Sequence, residues 1–233
     1  MRTLLILIVV LVAAVIVGDR VAVVMAQNEI ARRIASEYNL PQQPSVRIGG
    51  FPFLTQAVDG TYHDIDIRVG DWNDKDVSVH GLDVKLTDVA APLDDILNGR
   101  ITNLVAASAT ANGVVAYDTV QHYAPDGIES ITYGPDGMEA SGKFSVQGIK
   151  VPAKVVATVA ATDDGIKITP VSVRPAAGGP AIPLALVSES LAFTVPLKQL
   201  PLGAHLTTIK AASDGIHVTA VAKSVHFSDL PKP

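Results

Sequence analysis

Cysteine is absent from this chain of 233 residues. Disulfide bonds, cysteine-based zinc sites and thiol catalysis are therefore excluded. A bacterial envelope protein that folds without oxidation is compatible with this absence.

Aromatic and charged residues are both scarce. Aromatic residues make up 5% of the chain and charged residues 18%, whereas a typical soluble domain is about a quarter charged. The net charge is −5, and the 18 lysines and arginines are scattered along the sequence. Nucleic-acid binding needs clustered basic residues that can contact phosphates. The composition therefore argues against a nucleic-acid partner.

The motifs of common enzyme classes are also missing. There is no G-x-S-x-G nucleophile turn, no glycine loop for phosphates and no H-E-x-x-H zinc motif. His63, Asp64 and Asp66 lie close together in the sequence, but on a strand His63 and Asp64 point to opposite faces. That alternation is typical of a solvated strand rather than a metal site. We predict no catalytic residue, no metal and no cofactor, and a protein that is not an enzyme.

What the sequence does contain is a long apolar run at its N-terminus, Thr3–Gly18. Its length lies between the apolar core of a signal peptide, about 7–15 residues, and a membrane span of about 17–25. Val24-Met25-Ala26 fits a cleavage site, but Asp19 and Arg20 stand between it and the apolar run. Residues 1–18 therefore predict export, as a signal peptide or, as we favour, as an uncleaved signal anchor.

An amphipathic helix is predicted from Asp19 to Tyr38. Its apolar positions recur at steps of three and four residues, and its charged positions occupy the rest of the circumference. The apolar set is Val23, Ala26, Ile30, Ala31, Ile34 and Tyr38, and the charged set is Glu29, Arg32, Arg33 and Glu37. Asn39 and Pro41 end the helix. A single apolar stripe needs a cover, for which a sheet of the same chain is predicted.

After Pro44 the pattern becomes that of β-hairpins, with apolar and polar residues alternating. Asp-Gly pairs beside alternating segments are a strong hairpin signal. They occur at Asp59-Gly60, Asp126-Gly127, Asp136-Gly137, Asp164-Gly165 and Asp214-Gly215. Short helices are predicted at Pro52–Ala57, Pro92–Asn98 and Asp118–Tyr123. The proline- and glycine-rich stretch Thr169–Pro183 predicts a long loop within one domain, residues 19–228, followed by a tail, residues 229–233.

Two strands are built from small apolar residues on both faces, Val151–Thr162 and, more briefly, Leu104–Ala111. One interpretation is a central strand covered on both sides by the N-terminal helix and loops. The other is a strand covered on one side that lines a cavity for an acyl chain on the other. In the second case Val151, Val155 and Val159, which share a face, would contact lipid.

The segment Gly49–Gly60, GGFPFLTQAVDG, places two aromatic residues beside two glycines. Pro52 suits the first turn of a short helix, so Phe51 and Phe53 are predicted to flank a corner. Helical spacing predicts that Leu54 and Val58 point inward. The hypothesis for function is that Phe51, Phe53 and Leu54 also close one end of a lipid cavity.

This segment and its continuation to Val69 resemble the signature of the LmeA-like phospholipid-binding family of actinobacterial envelopes. The C-terminal Leu200-Pro201-Leu202-Gly203, followed by a D-G hairpin, is similar to the same family, and the resemblance covers about Asp19–Phe227. It implies binding of phospholipids, phosphoinositides among them, and support of lipoglycan synthesis without known catalysis. It also implies a curled sheet around a long helix, similar to tubular lipid-binding domains. Leu200 and Leu202 are further hypothetical lipid contacts.

These observations together predict an α+β fold, in which an N-terminal membrane segment and amphipathic helix pack against a large curled antiparallel β-sheet. The predicted function is phospholipid binding in the cell envelope, at the periplasmic face of the cytoplasmic membrane, supporting lipomannan and lipoarabinomannan synthesis. One alternative is a scaffold for an envelope glycosyltransferase. Another is an enzyme on lipid-linked sugars, which would need a converging carboxylate pair; the available carboxylates are Asp64, Asp66, Asp94 and Asp95.

Overall fold

A long N-terminal helix precedes two curled antiparallel sheets in the computed structural model, which confirms the α+β class. The structure describes residues 1–73, 78–92, 95, 104–146, 149–163, 165–186, 191–197 and 201–229. The sequence predicted one large sheet, whereas the described strands divide into two.

Helix α1 runs without interruption from Arg2 to Glu37, about 54 Å at 1.5 Å per residue. The predicted apolar run and amphipathic helix are therefore one element. The apolar side chains of its first half are 43% to 65% exposed between Leu4 and Val17. Its most apolar window has a mean hydropathy of 2.7, and among the described residues this is the one helix long and apolar enough to cross a membrane.

The second half of α1 packs against the domain with the predicted stripe. Val23 and Ala31 are buried, and Ala26, Ile30 and Ile34 pack beside them. The helix ends before Asn39, whose φ of 48° takes the chain out of the helical direction. The predicted amphipathic helix and its end are thus confirmed, except that Tyr38, predicted in the apolar stripe, follows the last helical residue and is 39% exposed.

The first sheet has six strands in the order β1-β2-β3-β4-β11-β10, and the second has five in the order β5-β6-β7-β8-β9. The first consists of β1 Ser45–Ile48, β2 Thr61–Asn73, β3 Ser78–Ala90, β4 Val105–Val115, β10 His205–Ala212 and β11 Gly215–His226. The second consists of β5 Ile128–Gly134, β6 Gly137–Val146, β7 Ile149–Thr162, β8 Gly165–Pro175 and β9 Phe193–Pro196. Two short helices, α2 Phe53–Asp59 and α3 Tyr117–His122, join strands, as predicted.

Three of the predicted Asp-Gly hairpins are present. Gly137, Gly165 and Gly215 each begin the second strand of a hairpin, β5–β6, β7–β8 and β10–β11. Asp59-Gly60 instead ends α2, and Asp126-Gly127 leads into β5. The signal is local, so it marks a turn without specifying whether a strand or a helix precedes it.

The predicted loop Thr169–Pro183 is shorter in the structure, because β8 continues to Pro175. Pro170 pairs with Ala157 where the register of β7 shifts, and an irregularity of this kind tolerates the missing N–H of proline. Pro175 ends the strand as expected. The predicted helix Pro92–Asn98 lies outside the described residues apart from Pro92 and Asp95.

Two separate cores hold the fold together. The first, which we call the helix-side core, lies between α1, α2 and one end of the first sheet. The second, the sheet-side core, lies between the second sheet, α3 and the other end of the first sheet. The same face of the first sheet therefore contributes to both cores.

Candidate functional site

The face of the first sheet that contributes to both cores is apolar across its whole width. One row of directly paired residues belongs to the helix-side core and is buried. It consists of Ile48, Ile65, Leu86, Ala109 and Ala222, on β1, β2, β3, β4 and β11. At the other end of the strands, Val115 and Ile216 are paired and fully buried in the sheet-side core.

Between these ends lies a row that we call the central row. Its members pair directly across all six strands, and every one is apolar. It consists of Val46, Ile67, Val84, Ala111, Ala220 and Leu206. Ile67, Val84, Ala111 and Leu206 are only partly buried. The central row thus lies between two packed cores, yet these four side chains remain partly exposed.

The middle of this face is lined by small residues. Ala111 belongs to neither core, and Ala220 pairs with it on the next strand. Gly113 follows Ala111 on the same strand face, and a Cβ there would lie 2.5 Å from Cγ1 of Val79. Glycine allows this close approach. The middle of this face therefore carries small side chains, and Val79 fills the space beside Gly113.

The length of the central row is sufficient for an acyl chain. Five spacings between six strands amount to about 24 Å. The hydrocarbon of one membrane leaflet is about 15 Å thick, half of the bilayer core. The central row is therefore long enough for an acyl chain, which would contact the partly open members Ile67, Val84 and Ala111.

The opposite face of the same sheet is polar. The neighbouring paired row there consists of Arg47, Asp66, Lys85, Thr110, Val221 and His205. Nζ of Lys85 lies 3.1 Å from Oδ1 of Asp64. This hydrogen bond, with the charges of Asp64 and Asp66, raises the pKa of Lys85. Beside the central row, the opposite face is therefore mostly polar, with Val221 as the apolar member of its row.

The predicted lipid contacts on β7 lie elsewhere. Val155 is 3% exposed in the sheet-side core, Val159 packs against that core, and Val151 pairs with Phe144. The other face of β7 is exposed at Lys154, Thr158 and Ala160. The strand is thus packed on one side and solvated on the other, unlike either interpretation of its sequence. These three valines are separate from the central row.

The corner at Gly49–Gly60 is held by Gln56. Its Nε2 donates to the carbonyl of Gly49 at 3.0 Å, and its Oε1 accepts from the N–H of His63 at 3.2 Å. Gly50 has a φ of 86°, and a Cβ there would lie 2.6 Å from Nε2 of Gln56. Gln56 therefore ties the end of β1 to the start of β2, and Gly50 gives it room.

The two aromatic residues of the corner have different environments. Phe53 is 7% exposed in the helix-side core, with its ring centroid 6.0 Å from that of Tyr62. Burial raises the pKa of the Tyr62 phenol. Phe51 is 61% exposed, and the guanidinium of Arg20 lies 5.0 Å from its ring centroid. Phe53 is a core residue, whereas Phe51 is a surface residue.

The prediction that Leu54 and Val58 point inward was wrong, because they are 44% and 78% exposed. Pro52 is the residue before the helix rather than its first residue. The face of α2 that packs on the domain is instead the one with Phe53, Gln56 and Ala57, which are buried. Of the C-terminal pair, Leu202 packs against the helix-side core, and Leu200 lies outside the described residues.

The central row as a unit was not predicted from the sequence. One of its strands was singled out, because Leu104–Ala111 consists of small residues. The others carried the ordinary alternation of any half-buried strand.

Among the described residues, no group of three or more His, Asp or Glu side chains is arranged to hold a metal ion.

A family model described as LmeA-like phospholipid-binding matches residues 17–221. No curated protein and no solved structure matches the chain significantly.

Proposed function

The chain belongs to the LmeA-like phospholipid-binding family, and we propose that it is a non-catalytic envelope protein that holds or exchanges phospholipid. Residues 19–228 form its lipid-binding domain in this proposal. Phosphoinositides are among the lipids it takes, and it supports the synthesis of lipomannan and lipoarabinomannan. Its partner in that synthesis is an envelope glycosyltransferase.

The observation that carries the proposal is the partly open central row. Ile67, Val84 and Ala111 pair across three strands, yet neither the helices nor the second sheet buries them fully. An apolar row left open in water costs free energy that an acyl chain would recover. The central row is therefore the acyl-chain site in this proposal.

The energetics favour exchange over storage. Each methylene removed from water contributes about 0.8 kcal/mol, so a long acyl chain gains on the order of 10 kcal/mol. A bilayer gives the same chain nearly the same stabilisation. The net affinity for lipid taken from a membrane is therefore modest, which suits a protein that accepts lipid and releases it again.

The packing of α1 supports its retention as a membrane anchor. Oδ1 of Asp19 accepts a hydrogen bond from the N–H of Leu54 at 2.8 Å, and Val23 is 5% exposed in the helix-side core. Cleavage after Ala26 would remove both residues from the folded domain. We place the domain at the periplasmic face of the cytoplasmic membrane, with α1 uncleaved.

Retention of α1 can be measured by intact mass. We expect the protein isolated from its native membrane to have the mass of the whole chain, 24.3 kDa. It should remain in the membrane fraction after a high-salt wash and leave it only with detergent. A shortened protein that begins after Ala26 would contradict retention.

Lipid binding can be tested on the same material. The solubilising detergent is first exchanged for fresh detergent that contains no lipid. We then expect organic extraction followed by mass spectrometry to detect phospholipid in a fixed ratio to protein. A membrane protein of similar size with a single span, purified in parallel, controls for lipid carried by the micelle. Equal lipid in both samples would overturn the proposed function.

A further inference from the structure

Large apolar side chains are exposed at few places outside α1. Among the described residues they are Tyr38, Phe51, Leu54, Val58, Tyr133, Ile149 and Val171. Three of these seven belong to α2 or to the turn before it, a stretch of eight residues. The other four lie on different elements. We call Phe51, Leu54 and Val58 the α2 patch.

The α2 patch is attached to α1 at the point where the apolar run ends. The N–H of Leu54 donates to Asp19, and Arg20 covers the ring of Phe51. Asp19 is the first residue after Thr3–Gly18. The patch therefore continues the apolar surface of the first half of α1.

Helix α1 itself remains apolar on its outer side beyond Gly18. Val21, Val24 and Met25 are 49%, 51% and 67% exposed. They follow Val17 at helical steps that keep them on one side of α1. The opposite side carries Val23 and Ile30 into the helix-side core.

The length of the apolar run explains these exposed residues. The sixteen residues Thr3–Gly18 span about 24 Å as a helix, whereas the hydrocarbon core is about 30 Å thick. About four more residues are needed to reach its far side. The membrane boundary then lies near Val21–Met25, at the level where α2 packs on α1.

Asp19 and Arg20, the charged residues near this membrane boundary, are compatible with a position at the membrane surface. Asp19 is 1% exposed and is bonded to Arg20 and to the N–H of Leu54, so its carboxylate is not presented to lipid. The side chain of Arg20 is about half exposed. Its length lets it reach the headgroups while its stem and the Phe51 ring stay in an apolar environment.

We propose that the α2 patch rests in the surface of the same bilayer that α1 crosses. Phe51, Leu54 and Val58 contact the boundary between headgroups and acyl chains, so the domain has a fixed orientation on the membrane. This inference rests on the proposed function only in requiring that α1 is retained. It does not depend on whether the central row holds lipid.

The absence of cysteine allows a direct test on the full chain. Val58→Cys and Val171→Cys place one thiol each at exposed valines of α2 and of the second sheet. Both variants are labelled with an environment-sensitive fluorophore and reconstituted in vesicles of phosphatidylcholine and phosphatidylglycerol. Quenching is measured with aqueous iodide and, separately, with lipids brominated on their acyl chains.

We expect iodide to quench the Val58 label severalfold less than the Val171 label, and brominated lipid to quench the Val58 label alone. Equal access of iodide to both labels would overturn the proposal, as would equal shielding of both. Phospholipid bound to the same samples is measured by mass spectrometry before reconstitution. If lipid is bound but iodide reaches the Val58 label, only the membrane contact of the α2 patch is refuted. If the Val58 label is shielded but no lipid is bound, only the proposed function is refuted.

Discussion

Replacing Ala111 with phenylalanine is expected to lower the affinity for phospholipid about tenfold. The new ring would occupy the middle of the central row, where Ala111 is partly open and belongs to neither core. Displacing two methylenes of an acyl chain costs about 1.6 kcal/mol, which is about a factor of ten in the dissociation constant. Transfer of a fluorescent phospholipid from vesicles to the purified protein measures this affinity.

Ala107→Phe is the matched control for that variant. Ala107 lies on the same strand, β4, but is exposed and outside both cores. The same substitution there should leave lipid transfer unchanged, and urea unfolding should give both variants a stability close to that of the wild type. Equal affinity of the Ala111 and Ala107 variants would show that the central row is not the lipid site.

Phe53→Ala is expected to destabilise the domain by about 3–5 kcal/mol. The Phe53 ring is buried in the helix-side core beside Tyr62, and removing a buried aromatic side chain leaves a cavity there. A loss of this size is a large fraction of the stability of an ordinary domain. Urea unfolding followed by circular dichroism measures it.

Phe51→Ala provides the contrast, although the two residues stand only two positions apart. The Phe51 ring is exposed and contacts Arg20, so its removal should cost only about 0.5–1 kcal/mol. We expect this variant to fold normally. A similar loss of stability in both variants would mean that the assignment of Phe53 to the core and Phe51 to the surface is wrong.

The features that the sequence predicted well are those set by local periodicity. The stripe of α1 that includes Val23 and Ile30 follows a helical repeat, and three Asp-Gly pairs mark real hairpins. Each depends on residues within one turn or one strand pair. The family signature around Gly49–Val69 was recognisable for the same reason, because it is contiguous.

The central row could not be predicted in this way, because its members come from six strands. Val46 and Leu206 belong to the first and the tenth strand of the chain, yet they lie on one row. Alternation gives the face of each residue but not the order of the strands. The exposed positions of Leu54 and Val58 were missed because helical spacing shows that the two share a face of α2 but not which face packs on the domain.

The unbroken course of α1 has a further consequence for how far the domain can travel. A flexible linker of ten residues has a root-mean-square end-to-end distance of about 17 Å, so it would let a domain move that far from its attachment point. Between Gly18 and Val23 the chain is helical and already packed, so no tether separates the membrane segment from the domain. With α1 retained as proposed, the reach of the protein would be its own height above the bilayer. Under the proposed function, lipid destined for another layer of the envelope would then need a second carrier.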